Sequence, residues 1–227
     1  MEAQSAGPAG YDDFVFLEDV RIPDTLAFFD RPLPFDSAFL REKVAYMLPD
    51  VREFARPWGA FTVRRPEFPG GDRITIGGRG FTSSLLVREL WGLDEVFPFL
   101  ASEGPELAGW AASVDEDLRK AAFAVRFIAL KEAEEAMERH IAERWGVPDI
   151  SAVAPGTLDE WPQSEQRPLF ELMGPAADRK GMFLNSKLWL EPLVSSSGIY
   201  FSSPGGFHNC YLCRDDDCQW RRFARRE

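Results

Sequence analysis

The chain has 227 residues, 45% of them apolar and 28% charged, with a formal net charge of −11. That length is enough to bury a hydrophobic core without disulfides, and the acidic balance argues against nucleic acid as a partner, because phosphate binding needs a basic face. The longest apolar runs are broken by Arg126, so no bilayer-spanning segment and no membrane partner are expected; no secretory leader opens the chain, which points to a cytoplasmic protein.

In chain order, residues 1–11 are small and polar without periodicity and are expected to be a disordered leader. YDDFVFLED alternates as a strand does. DSAFLREKVAYML follows as a helix capped by Asp36 or Ser37. GAFTVRRPEF and DRITIGG predict two short strands around the turn FPGGD. FTSSLLVRELWG predicts a short helix capped by Thr82 or Ser83 and closed by Gly92. DEVFPFLAS is a buried strand candidate weakened by Pro98. The run from Ser113 or Asp115 to Gly146 is one long packing helix, with His140 a surface residue near its end.

The segment SAVAPGTLDEWP has loop composition, and SEQRPLFELM predicts a helix that accepts Pro168 in its first turn. GMFLNSKLWLEP and SSSGIYFSS predict a final pair of strands. Strands and helices mix without regular βαβ units, so the expected class is α+β, a largely antiparallel twisted sheet with flanking helices. The expected organisation is a domain over 12–204 followed by a Cys-rich tail over 205–227.

All three cysteines lie in that tail: Cys210, Cys213 and Cys218, with His208 just ahead. In the cytosol, clustered thiols are metal or redox ligands rather than disulfides. A two-residue gap lets a turn aim two thiolates at one ion. Cys3His suits structural zinc, and three thiolates equally suit an iron–sulfur cluster; spacing leaves both open. From Arg214 onward five arginines meet four acids, a small basic patch able to dock an acidic protein or steady an anionic site. Gly-Gly-Arg-Gly at 77–80 lacks the spacing of a phosphate loop and is expected to turn, and Asp159 with Glu160 is expected to be a solvated acidic pair.

APG, SEQRPLFELM and VSSSGIYFSSP occur in the order found in the activation domain of cobalamin-dependent methionine synthase, and ITIGGRGFTSSLLVREL with the long helix resembles free-standing relatives of that domain. The resemblance spans roughly residues 12 to 220. It implies a C-shaped α+β domain that binds S-adenosylmethionine and sits over a corrinoid so that cob(II)alamin can be reduced and remethylated. Position by position it implies cofactor contacts at Gly156, Ser195, Ser197, Gly198 and Tyr200, and an acidic ligand-binding residue at Glu135. The family's loop arginine is Ala152 here and its tyrosine is Thr157. Losing a charge-assisted hydrogen bond to a carboxylate costs about 1.5–3 kcal/mol, which weakens the expectation of S-adenosylmethionine binding. The resemblance implies an accessory protein for a corrinoid-binding protein or methyltransferase subunit; beside it, an iron–sulfur cluster on the thiolates would pass an electron from a donor, whereas zinc there would be structural. An S-adenosylmethionine-binding reactivation subunit and a zinc-fastened binding module are the alternatives.

Overall fold

The computed structural model describes residues 13–22, 38–147 and 149–214. The leader, the caps Asp36 and Ser37, Cys218 and the arginine-rich tip lie outside the described residues.

A five-stranded antiparallel sheet in the order β1-β2-β6-β10-β7 forms the centre, built from β1 (Phe14–Leu17), β2 (Trp58–Thr62), β6 (Phe97–Ser102), β7 (Ile150–Val153) and β10 (Ser195–Ser202). Its inner strands WGAFT and FPFLAS are buried at every residue. Apart from the terminal Thr62 and Ser102 they are apolar, without the alternation of a half-exposed strand, because layers cover both faces. A second sheet, β3 (Pro66–Gly70), β4 (Arg73–Ile76) and β5 (Arg79–Thr82), and a two-stranded hairpin, β8 (Phe183–Leu184) with β9 (Leu190–Glu191), flank it.

Helix α4 (Arg119–Trp145) serves two layers. Its first half buries Val125 and Ile128 against Val44 and Val51 of α1 (Ala38–Phe54) and Leu107 of α3 (Pro105–Ser113). Its second half sets Ala133, Met137 and Ile141 against Phe61, Phe97 and Tyr200 of the sheet. The other sheet face packs Trp58, Ala60 and Leu100 on Met173 and on Ala176 of α6 (Gly174–Lys180). Beside them, Ile199 and Phe201 meet Trp161, Leu169 of α5 (Gln166–Leu172) and Phe81 of β5. The observed class is the expected one, α+β with an antiparallel sheet.

Local readings held where one signal acted alone. Ser83 caps α2 (Ser84–Leu90), its hydroxyl accepting from Leu86 N at 3.1 Å. Gly146, with φ 68°, stops α4. Gly77 and Gly78 turn the chain between β4 and β5.

Other readings are corrected. The first helix does not end before Pro49 but runs on to Phe54, because Val51 seats the extra turn in the core and offsets a break of about 3 kcal/mol. GAFTVRRPEF is two strands in two sheets, and Arg64 between them bridges Val96. The first residues of the expected loop SAVAPGTLDEWP form β7, since Ile150–Val153 pair with Ser202–Ile199. Helices α3 and α6 were not foreseen, and the long helix begins only at Arg119, after a short 3-10 turn. Pro98 sits in an inner strand after all. The register of Phe61 with Phe99 and of Arg64 with Val96 puts it opposite Thr62, where β2 ends, so a single ladder bond is forgone. Among the described residues no helix is long and apolar enough to cross a membrane.

Two glycines are held by close approach. A Cβ on Gly59 would lie 2.6 Å from Met137 Sδ, and one on Gly198 would lie 2.3 Å from the Val153 carbonyl oxygen. A methionine can swing aside, whereas a strand backbone cannot. Gly198→Ala is therefore expected to cost about 1–3 kcal/mol and Gly59→Ala clearly less, a ranking that urea midpoints of the two variants will check.

Candidate functional site

Strand β10 carries the run Ser195, Ser196, Ser197 and Gly198, and its alternation sends these residues to opposite sides of the sheet. Ser195 donates to Ser102 Oγ at 2.9 Å, and Ser197 accepts from Gln166 Nε2 at 2.6 Å, both on the α5 side. Ser196 donates to Glu134 Oε1 at 2.6 Å, on the α4 side. Tyr200 follows on that side, stacked on Phe99 at 4.1 Å between centroids. Its buried phenol is pushed well above 10.0, first by desolvation and then by the charges of Glu134 and Glu138.

The residues implied by the resemblance therefore do not converge on one surface. Ser195 and Ser197 line a cleft, whereas Gly198 and Tyr200 are interior, the glycine wedged between the Val153 carbonyl and the Phe99 ring. On α4 the residue that touches the strand is Glu134, which also pairs with Lys131, while Glu135 lies 4.0 Å from Arg139. One residue along a helix is a rotation of about 100°, so the acidic run alone could not show which carboxylate faces the sheet. Ala152 stands opposite Tyr200 in the β7 ladder and packs in the layer shared with α4, away from the cleft.

The cleft, about 290 Å³, lies between the Pro155–Gly156 loop, α5, the β8–β9 hairpin and the start of β10. Gly156 has φ 79°, a conformation that favours glycine. Its open side is filled from within: a Cβ there would come 2.1 Å from Gln163 Oε1, and the same amide donates to the Leu188 carbonyl at 2.8 Å. Gln163 thus ties the loop to the hairpin. Neither it nor Gln166 was foreseen as a site residue, because two glutamines at a helix start carry no signal of their own.

The cleft's strand is braced from behind. Buried Glu103 accepts two hydrogen bonds of 2.5 Å from Arg126, and its backbone N–H donates to Val194, the residue before Ser195. Desolvation pushes the Glu103 carboxyl above its ordinary 4.5 against the pull of Arg126.

In the tail, Phe207 is buried beside Phe201, and its N–H donates to Ser151 and Ser203 Oγ, both at 3.0 Å. Cys210 and Cys213 are half-buried thiols, not joined in a disulfide, around a 3-10 turn over Asn209–Tyr211, and Cys213 packs against the core cluster that holds Ile199. His208 lies edge-on to Tyr211 at 5.3 Å. Among the described residues no three His, Cys, Asp or Glu side chains converge on one point.

Compared with proteins of known structure, the chain superposes on the crystal structure of the MetH reactivation domain bound to AdoHcy, with a TM-score of 0.62 and 14% identity over 86% of this chain and 80% of that one. The fold is that of a methionine synthase reactivation domain. No family model and no curated protein matches the sequence. The architecture named by the strand motif is thus present, built on a largely different set of residues.

Truncating one member of the brace strands the other charge, so Glu103→Ala is expected to cost about 3–5 kcal/mol, while the paired change Glu103→Met with Arg126→Leu recovers most of it. The sign of the pH effect follows from the raised value. The folded chain holds this proton to higher pH than the unfolded chain does, so stability from Glu103 falls as pH rises from 4.5 through its folded value. Urea melts across that range will show the slope in the native chain and its loss in the paired variant.

Proposed function

We propose that this chain is an accessory protein for a corrinoid (cobalamin) methyltransferase and supports reductive reactivation of the cobalt centre. The observation that carries this reading is the shared fold with the reactivation domain, which extends over 86% of the chain. In this reading the domain works by docking. Its partner here is a corrinoid-binding module, and the two exposed apolar side chains at the mouth of the cleft, Trp189 and Leu193, belong to a surface suited to contact.

In this reading His208, Cys210, Cys213 and Cys218 hold an iron–sulfur cluster, with zinc as the alternative. What supports ligation is the Cys-x2-Cys-x4-Cys spacing and the placing of Cys210 and Cys213 on one turn after β10. When bound, such a cluster supplies single electrons. The chain's own part is to anchor the ligand-bearing turn: Phe207 and Cys213 pin it to the core, and Cys213 N bonds Asn209 O at 2.9 Å.

An S-adenosyl ligand, such as the AdoHcy held by the MetH domain, fits this chain poorly. The loop arginine is Ala152, whose side chain lies in the α4 layer, and the face of Gly156 is filled by Gln163. No cation stands in the cleft lining to meet a carboxylate.

Two measurements test the reading. On gel filtration the full chain is expected to co-migrate with a cobalamin-loaded methyltransferase module and, with a reductant, to speed loss of the cob(II)alamin absorbance. Failure to co-migrate at micromolar concentration removes the docking role. Cys213→Ser is expected to lose bound iron or zinc by elemental analysis and keep its far-ultraviolet circular dichroism, since the core lies upstream. Equal metal content in both proteins removes the tail as a ligand set.

A further inference from the structure

We propose that the cleft at the start of β10 binds an uncharged ligand that presents a carboxamide, laid against Trp189. This does not rest on the corrinoid reading. The polar side chains facing the cleft are the amides of Gln163 and Gln166 and the hydroxyls of Ser195 and Ser197, and among the described residues no ionisable side chain lines it. Each of these groups both donates and accepts. A ligand amide, which does the same, pairs with them without net charge, whereas a carboxylate or ammonium entering the cleft sheds water and meets no counter-charge among the side chains that line it.

The floor is built rather than incidental. Gln166 and Ser197 are each only 4% exposed and are bonded to one another, so their remaining hydrogen-bonding capacity is fixed in direction before any ligand arrives. The mouth shows the opposite character. Trp189 and Leu193 are 50% and 54% exposed, a flat apolar platform beside a polar floor, which is the usual make-up of a small-molecule site. Leu188, next to the platform, holds φ at 60°, a region that a leucine rarely enters. Its carbonyl is held by Gln163 and its N–H by Asn185 O at 2.9 Å, and Asn185 Oδ1 also accepts from Trp189 N at 3.1 Å. The hairpin turn is thus locked in the one conformation that sets Trp189 beside the glutamines. Lys187 is exposed and lies over the Trp189 ring at the rim, outside the cleft lining.

Nicotinamide and nicotinate separate the two chemistries, since they share a ring and differ in carboxamide against carboxylate. Titrated into the full chain at physiological salt and followed by saturation-transfer NMR, nicotinamide is expected to bind saturably and nicotinate at least tenfold more weakly. Trp189→Ala, at an exposed position that leaves the fold intact, is expected to weaken nicotinamide at least tenfold, and Gln166→Leu to abolish its binding. Should Gln166→Leu fail to fold, the Trp189 variant still decides. Absence of nicotinamide binding, equal binding of nicotinate, or an unchanged Trp189→Ala each overturns the proposal. Neither probe contains cobalt or a corrin ring, so failure here leaves the docking role standing, and failure to co-migrate leaves the cleft standing.

Discussion

Strand β10 is hydrogen-bonded on both edges, to β6 and to β7, and covered on both faces, by α4 and by the α5–α6 layer. A strand in that position cannot slip. Moving it by one residue would drive Ile199 and Phe201 into the α4 layer and Tyr200 into the α5 layer, with every serine exchanged between cleft and helix. The glycine at 198 enforces the same register from the side, since its missing Cβ lets the Val153 carbonyl and the Phe99 ring close in. The rest of the molecule is arranged around this fixed line. Helix α4 spans from the α1–α3 layer onto the sheet, and the Glu103–Arg126 pair clamps the corner from which β10 starts.

The electrostatics of the molecule differ sharply from those of its cleft. A net charge of −11 suggests an acidic site, yet the charges are used elsewhere. Glu134 is engaged by Ser196 and Lys131 on the far side of the strand, Glu103 is held by Arg126, and Glu18 is held by Arg179 and Lys180, which keep its carboxyl below the ordinary value, Lys180 most of all. What faces the cleft is amide and hydroxyl. Charge placed around a neutral slot, and not within it, favours ligands that keep few water molecules of their own.

The tail joins this arrangement through packing. Phe207 lies against Phe201 of β10, so the turn that carries Cys210 and Cys213 is seated on the strand whose other end opens into the cleft. The thiol-bearing turn and the cleft thus share one rigid element.

Several of these features were legible in the sequence. The helical period of α4, its stop at Gly146, the Ser83 cap, the turn glycines at 77 and 78 and the alternating β10 motif each rest on one local signal with few competitors. The α+β class followed from their order. The sequence also placed the chemistry-bearing residue types: three thiols in one tail and a serine run on one strand. Tertiary structure alone decided the remainder. It carried α1 past Pro49, because burial of Val51 outweighs a local break, and it divided GAFTVRRPEF between two sheets, because strand partners are distant in sequence. It chose Glu134 over Glu135 as the carboxylate that meets the strand, and it assembled the cleft from Gln163, Gln166 and Trp189, whose spacing in the chain bears no trace of their meeting. The physical reason is the same in each case: a local pattern reports which face a residue occupies on its own element, and only packing between elements determines what that face meets.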